Sequence, residues 1–426
     1  MRLVGVFPRL NRDGKLVIAA SSVRALDYSF LSIFLGVYLT FLEFSAIQAG
    51  MVISGIMAGG ALSNLVATWR GDVIGRKRML VGMSALMVLG GILLPLNGSV
   101  AFLVVIGLFA MTTATGGDRT AFVSMDTAIL TETTDGAQRT LVFSWYNLIA
   151  FLGRAIGALL IAGPAVLQSR LDIGEQLSFQ IMFGVYAVIA VGGIVLYSRL
   201  SPQAEALPKD RKSPTRSFEN DESRKLILKM AGLFSLDAMG GGFIIRSFIS
   251  FWFVNHFGVD LYSIAGIFFA GQMLNAISVS LATPVANRIG LINTMASSQA
   301  LSNMFVILMA LSGQLWVAVF FFLVHELCNE MDIPTRQSYT MAIVAPESRT
   351  AMASFSNLGR NLAQTISPSI AGVVAQVTFL GAPLLLGAGT KLLYNALLYA
   401  MFRSYKTPEE LVSEAKTEMQ GEEADG

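Results

Sequence analysis

A succession of apolar runs, each about 20 residues long, constrains this chain more than any other feature of its sequence. An α-helix rises about 1.5 Å per residue, so a run of that length crosses the ~30 Å hydrocarbon core of a bilayer. Only 14% of the 426 residues are charged, whereas soluble domains carry about 25%. We therefore expect an all-α membrane protein.

Twelve such runs are present, and short polar segments separate most of them. One longer polar segment divides the first six runs from the last six. The sequence therefore predicts twelve transmembrane helices in two six-helix bundles, at 1–198 and 226–403, with a cytoplasmic linker at 199–225 and a cytoplasmic tail at 404–426. The runs lie at 16–42, 46–69, 79–97, 99–123, 140–163, 177–198, 226–254, 261–286, 293–312, 315–341, 350–377 and 381–403.

Lysine and arginine are distributed unevenly between the predicted loops. They are frequent in alternate loops and in the linker, whereas the opposite loops hold only Arg170. Because basic loops stay on the cytoplasmic side, both termini are predicted to be cytoplasmic in a multi-pass protein of the cell membrane. The basic and then apolar opening stretch continues to about residue 42, which is too long for a cleaved signal and predicts a retained first span.

The two halves resemble each other weakly. The segment 138–163 aligns with 348–372 at an offset of 210 residues, and Asp27 and Asp237 lie the same distance apart. Matched polar positions favour duplication of a six-helix unit. Internal repeats of this kind are typical of secondary transporters, so the two bundles are expected to be pseudo-symmetric.

The loop after the second run reads "TWRGDVIGRKRML" and resembles the Gly-x-x-x-Asp-Arg-x-Gly-Arg-Lys signature of the major facilitator superfamily. Thr68 and Val73 depart from the signature, and a degenerate copy at 283–293 carries Gly290. The resemblance implies the fold of that superfamily and a transporter rather than an enzyme. It also implies that this loop latches a cytoplasmic gate. The matching residues are Asp72, Gly75, Arg76 and Lys77.

Ionisable side chains inside the predicted spans are the candidates for a substrate or proton pathway. Each costs at least about 2.5 kcal/mol in a bilayer, so such residues are rare and usually functional. Structural ion pairs are the alternative, as for Arg24 and Asp27, which lie on one helix face; for Lys391 the alternative is that it snorkels. The candidates are Arg24, Asp27, Asp118, Arg119, Arg154, Asp237, Arg246, Glu326, Glu330 and Arg360.

The tenth run carries an unusual group of charges at its end. Glu326 and Glu330 lie four residues apart. When two carboxylates are that close in a medium of low dielectric constant, keeping both of them charged is energetically costly. One of them is expected to bind a proton or to pair with Arg246, Arg336 or Arg360. Asp332 and Arg336 are predicted to be charges of the cytoplasmic gate, where Pro334 can kink the helix.

Glycines mark two other spans. The triplet at 240–242 weakens the seventh span by roughly 1 kcal/mol per residue, which predicts a bend or local break, with a packing notch as the alternative. Gly153 and Gly157 in the fifth span have a spacing associated with antiporters and are a hint of export, but the same spacing is ordinary for helix packing.

The remaining motifs exclude other chemistry. "HELCN" lacks the second histidine of a zinc-protease motif, and no nucleotide-binding motif is present, so neither metal nor cofactor is expected. We predict a proton-coupled secondary transporter, monomeric and without nucleic-acid partners, that moves a small solute by alternating access. The alternatives are an organic-anion carrier or uniporter that uses the arginines, and, in a different class, a membrane enzyme or a non-transporting sensor. The sequence does not identify the solute.

Overall fold

The computed structural model describes residues 10–116, 121–134, 138–205, 221–343 and 349–403. Regular structure in these ranges is helical throughout. Asp118 and Arg119, most of the predicted linker and the predicted tail lie outside the described residues.

Each predicted run corresponds to one helix or to a pair of consecutive helices; in the fifth span the pair, α6 and α7, is joined without a gap by a 3-10 turn at Leu160–Ala162. The first half contains α1 (Arg12–Phe41), α2 (Ala46–Ile74), α3 (Arg76–Leu93), α4 (Val100–Phe109), α5 (Ala121–Glu132), α6 (Arg139–Leu159), α7 (Gly163–Leu171) and α8 (Glu175–Ser198). The second half contains α9 (Asp221–Phe243), α10 (Arg246–Phe257), α11 (Leu261–Ile289), α12 (Leu291–Ala310), α13 (Leu315–Asn329), α14 (Asp332–Ile343), α15 (Arg349–Val377) and α16 (Ala382–Phe402). Eight helical segments in the described ranges are long and apolar enough to cross a bilayer. Shorter or more polar helices form the fourth, ninth, tenth and eleventh spans.

Three spans are interrupted near their middle or end. The seventh span breaks between Phe243 and Arg246, directly after the glycine triplet, so the predicted weak point is confirmed. The tenth span breaks after Asn329, and Pro334 falls in the first turn of the next helix, where its missing N–H breaks no helical bond. The fourth span breaks after Phe109, although the sequence predicted one continuous helix there.

Two glycines at matching positions of the halves adopt the same unusual backbone. Gly75 precedes α3 with φ of 90°, and Gly290 precedes α12 with φ of 86°. A side chain disfavours this region, so both turns depend on glycine. Their shared conformation supports the duplication that the sequence predicts.

The chain forms two compact units. Unit 1 comprises Met1–Asp210, Gly242–Met273 and Gln364–Leu384, and unit 2 comprises Arg211–Gly241, Leu274–Ala363 and Leu385–Gly426. This division runs through several spans rather than through the linker. The bundle boundaries at 198 and 226 therefore stay a prediction.

The core of each unit is built differently. In unit 1, α1 is buried along most of its length and packs against α6, α8 and α10. In unit 2, apolar side chains of α9, α12, α14 and α16 form one cluster that includes Phe234, Met295, Tyr339 and Tyr394. The polar clusters around Arg24 and Asp237, described next, lie within units 1 and 2 respectively.

Candidate functional site

The Arg24 guanidinium lies in a buried polar cluster of unit 1. Its Nη2 donates to Asp126 Oδ2 at 2.6 Å, and both side chains are buried. The Tyr197 hydroxyl bonds to both groups, at 3.1 Å from Asp126 Oδ1, and the Phe122 ring lies 4.5 Å from the guanidinium carbon. The structure does not show the alternative of an Arg24–Asp27 ion pair, because the guanidinium pairs with Asp126 of α5 instead.

Asp27, one turn further along α1, lies in a different environment. The residue is 0% exposed, and neither carboxyl oxygen accepts a hydrogen bond from any group in the described residues. Tyr186, also buried, is close enough to interact with Asp27 electrostatically, and the Tyr186 hydroxyl also makes no hydrogen bond in that part of the chain. Burying a bare carboxylate without a partner costs several kcal/mol.

Arg246 lies at the two helix breaks of unit 1. It begins α10, and its Nη1 donates to the Thr115 carbonyl at 3.0 Å, in the unwound part of the fourth span. Next to it, Ser247 Oγ donates to the Ala114 carbonyl at 3.0 Å and to the Ser32 carbonyl at 2.5 Å. Side chains of α10 thus donate hydrogen bonds to carbonyls of the unwound segment, which in a continuous helix would accept from backbone N–H groups.

The fifth-span residues have a packing role in the structure. A Cβ on Gly153 would lie 2.6 Å from the Ser22 carbonyl of α1, and one on Gly157 would meet the Leu26 carbonyl. Close approach of α1 and α6 therefore requires both glycines, which supports the packing interpretation. The Arg154 guanidinium stacks over the Phe151 ring of its own helix at 4.0 Å.

Unit 2 gathers four charged side chains around Asp237. Arg336 Nη1 lies 3.0 Å and Arg360 Nη1 3.4 Å from Asp237 Oδ2, and Lys391 Nζ lies 3.6 Å from Oδ1. Arg336 Nη1 also contacts Asp332 Oδ2 at 2.9 Å, one turn away in α14. The sequence analysis assigned Asp237 and Arg360 to the pathway and Asp332 and Arg336 to the gate, whereas the structure brings the two groups together.

Sequence reasoning missed Lys391 as a member of this cluster. Gly240 in α9 explains how the lysine reaches Asp237: a Cβ there would lie 2.6 Å from Lys391 Cγ and 2.9 Å from the Gly387 carbonyl. The helices α9 and α16 therefore approach closely at Gly240, and the lysine stem crosses the bare glycine. In the sequence, the only signal for this role of Lys391 was a charged residue within an apolar span, with an acid in another span as its possible partner.

The two glutamates of the tenth span occupy different positions. Glu326 is buried and accepts a hydrogen bond from Asn275 Nδ2 of α11. Glu330 falls at the helix break, where its backbone N–H donates to Ser278 Oγ at 3.2 Å. An amide from α11 thus contacts Glu326, and the choice between proton binding and pairing with an arginine stays a prediction.

The signature loop is held by contacts within unit 1. Arg76 binds both carboxyl oxygens of Glu132, at 2.6 and 2.9 Å, and Lys77 Nζ donates to the Leu200 carbonyl at 2.7 Å. A Cβ on Gly75 would lie 2.7 Å from the Glu205 carboxylate. Asp72 lies in α2, and its side chain is outside the described residues. The gating role of this loop stays a prediction.

Known proteins resemble this chain over nearly its whole length. A family model described as Major Facilitator Superfamily matches residues 17–368. An uncharacterised membrane protein of Saccharomyces cerevisiae, YJR124C, is 22% identical over 93% of this chain and 95% of its own. The crystal structure of the nucleoside transporter NupG is similar with a TM-score of 0.69 at 15% identity, over 93% of this chain and 100% of that one.

A second solved structure is similar to a comparable degree. It is a bacterial homologue of the human lysosomal transporter Spinster in an inward-facing and occupied conformation, with a TM-score of 0.68 at 13% identity over 92% of this chain and 96% of that one. At these identities the structural likenesses establish the fold.

Proposed function

The chain belongs to the major facilitator superfamily, and from that premise we propose that it is a proton-coupled secondary transporter of a small solute, with Asp27 as the proton carrier. Its membership makes it a multi-pass membrane transporter and not an enzyme. The proposal extends this to the coupling ion and to the residue that binds it.

The burial of Asp27 without a hydrogen-bond partner carries the proposal. An aspartate in water ionises near pH 4 and is charged at neutral pH. In the buried environment of α1 the uncharged acid is favoured instead, because the carboxylate has lost its hydration and gained no donor. A conformational change that admits water to Asp27 would therefore release a proton, and its reversal would take one up.

The neighbouring charge pair explains why Asp27 can serve this role alone. Arg24, the nearest cation on the same helix, is bound by Asp126 and Tyr197. Its positive charge is thus neutralised by another acid and does not hold Asp27 in the ionised form. Asp27, the proposed proton carrier, and Arg24, which belongs to a structural ion pair, thus have different roles although they lie within one turn of each other on α1.

Flux measurements in proteoliposomes test the proposal. The wild-type protein is assayed with a panel of radiolabelled small solutes, with and without an imposed pH gradient. We expect the gradient to accelerate net uptake or release of at least one solute. Asp27→Asn should abolish that acceleration and leave exchange of labelled for unlabelled solute intact, because exchange needs no net proton movement.

Asp172→Asn is the matched control, since it makes the same substitution at an exposed loop carboxylate. It should retain the response to the gradient. If wild-type flux ignored the pH gradient, proton coupling would be excluded. If Asp27→Asn responded like wild type, coupling would have to reside elsewhere.

A further inference from the structure

We propose that the transported solute is an anion and that its carboxylate or phosphate group binds to Arg336, Arg360 and Lys391 in unit 2. These three residues are called the cation cluster below. The inference rests on the proposed function only for the statement that the bound anion is also transported. Binding itself can be measured without transport.

The first observation is that three cations converge on a single carboxylate. Asp237 Oδ2 lies within 3.4 Å of two guanidinium groups, and its Oδ1 lies 3.6 Å from the Lys391 ammonium. Asp332 contacts only Arg336 among the three. Within this described set, two carboxylates therefore face three cationic side chains, and an added anion would improve the balance in a low-dielectric interior.

The second observation is the order of exposure within the set. The cation side chains are 12–15% exposed, whereas those of Asp237 and Asp332 are both 6% exposed. The cation side chains are thus the more accessible members of the set, and both acids are the more enclosed ones.

The third observation is that Lys391 is the least tightly held member. Its distance of 3.6 Å to Asp237 exceeds that of a hydrogen bond, whereas Arg336 lies 3.0 Å away. A lysine carries a compact charge on a flexible stem, while arginine presents a planar fork that suits carboxylate and phosphate oxygens. Lys391 can therefore turn to a ligand while Arg336 stays bound to Asp237 and Asp332.

Gly240 supports this assignment because it positions the lysine. The bare glycine lets the Lys391 stem cross α9, and any side chain there would displace the stem at Cγ. Gly240 acts through Lys391 and is a positioning residue.

Binding to the purified full-length protein tests the inference. Inorganic phosphate and succinate are the two anionic probes, glycerol is the neutral probe, and ionic strength is held constant with chloride. We expect phosphate, succinate or both to raise the melting temperature of the protein in a saturable manner. The anion that does so shows whether the site binds a phosphate or a carboxylate group. Glycerol should give no saturable shift.

Variants assign the binding to the cation cluster. Lys391→Met should weaken anion binding about tenfold or more, through loss of one charge-assisted contact, while Lys391→Arg should retain most of it. Lys229→Met is the matched control, because Lys229 is exposed on α9. It should bind like wild type.

Asp237→Asn should change the anion affinity in the opposite direction to Lys391→Met. A gain of affinity cannot result from misfolding, so this variant controls for that explanation. Removing the internal carboxylate frees the cations, so anion affinity should rise. Equal affinities of Lys391→Met and wild type, a loss of affinity in Asp237→Asn, or no saturable shift with either anion would overturn the inference. Saturable anion binding without any pH-driven flux would instead refute proton coupling and leave the anion site standing.

Discussion

At the scale of single residues, the sequence identified unusual charges better than it identified their partners. Asp27 and Asp237 are conspicuous because an acid in an apolar span is costly. Their surroundings depend on packing between helices far apart in sequence: Arg24 bonds to Asp126, 102 residues away, and Lys391 reaches Asp237 from the last span. Periodicity within one helix carries no information about such contacts, so it could not identify Asp126 as the partner of Arg24.

The Arg24–Asp126 pair makes a prediction at this scale. Replacing Asp126 with Asn should lower the free energy of unfolding by about 3–5 kcal/mol, because it leaves a buried guanidinium without its counter-charge. The measurement is the unfolding free energy in detergent micelles. Glu132→Gln, which removes the partner of Arg76 where the carboxylate is 41% exposed, is the control and should cost under about 1 kcal/mol. Equal losses in the two variants would contradict a special role for the buried pair.

At the scale of helices, glycine and proline anticipated two of the three breaks. The glycine triplet precedes the break of the seventh span, and Pro334 opens the helix after the break of the tenth. The fourth span was predicted as one helix because its apolar run is continuous. Met111 there has φ of 51° and Gly116 has φ of 71°, and the freed carbonyls are bonded by donors from α1 and α10. Those donors are tertiary, so hydropathy could not reveal the break.

The contact between α1 and α10 makes a prediction at this scale. A Cβ on Gly36 would lie 2.7 Å from the Phe251 backbone nitrogen and would also meet the Ser247 carbonyl. Because backbone atoms cannot move aside as a side-chain end can, Gly36→Ala should force α10 away from α1 and destabilise the protein by about 1–3 kcal/mol. Thermal unfolding measures the effect.

Gly60→Ala is the matched control for Gly36→Ala. Gly60 lies within α2, and a Cβ there would meet nothing within 4 Å. The alanine should be neutral or slightly stabilising, because it restricts the unfolded chain. A stable Gly36→Ala protein would show that the two helices do not need their close approach.

At the scale of the whole molecule, the sequence predicted the fold class correctly, because a bilayer admits few architectures for a chain of apolar helices. The halves share the positive-φ glycine before their third helices, as the repeat implies. The orientation of the protein in the membrane is inferred only from the distribution of lysine and arginine between the loops, and it stays a prediction.

Single-cysteine labelling checks the predicted orientation. The only native cysteine, Cys328, is buried and should react little. An impermeant maleimide applied to intact cells should label Ser99→Cys, in the exposed loop before α4, and should label Arg78→Cys only after the membrane is permeabilised. The reverse pattern would place the signature loop and both termini outside.

The central claim is that Asp27 is buried as an uncharged acid which loses its proton when water reaches it. Infrared difference spectroscopy, recorded as the pH is raised or as a transported solute is added, observes the carboxyl group directly. We predict a carboxylic-acid C=O band that disappears in step with proton release in wild type and in Asp172→Asn, and that is absent from Asp27→Asn. Identical difference spectra for wild type and Asp27→Asn would contradict the account.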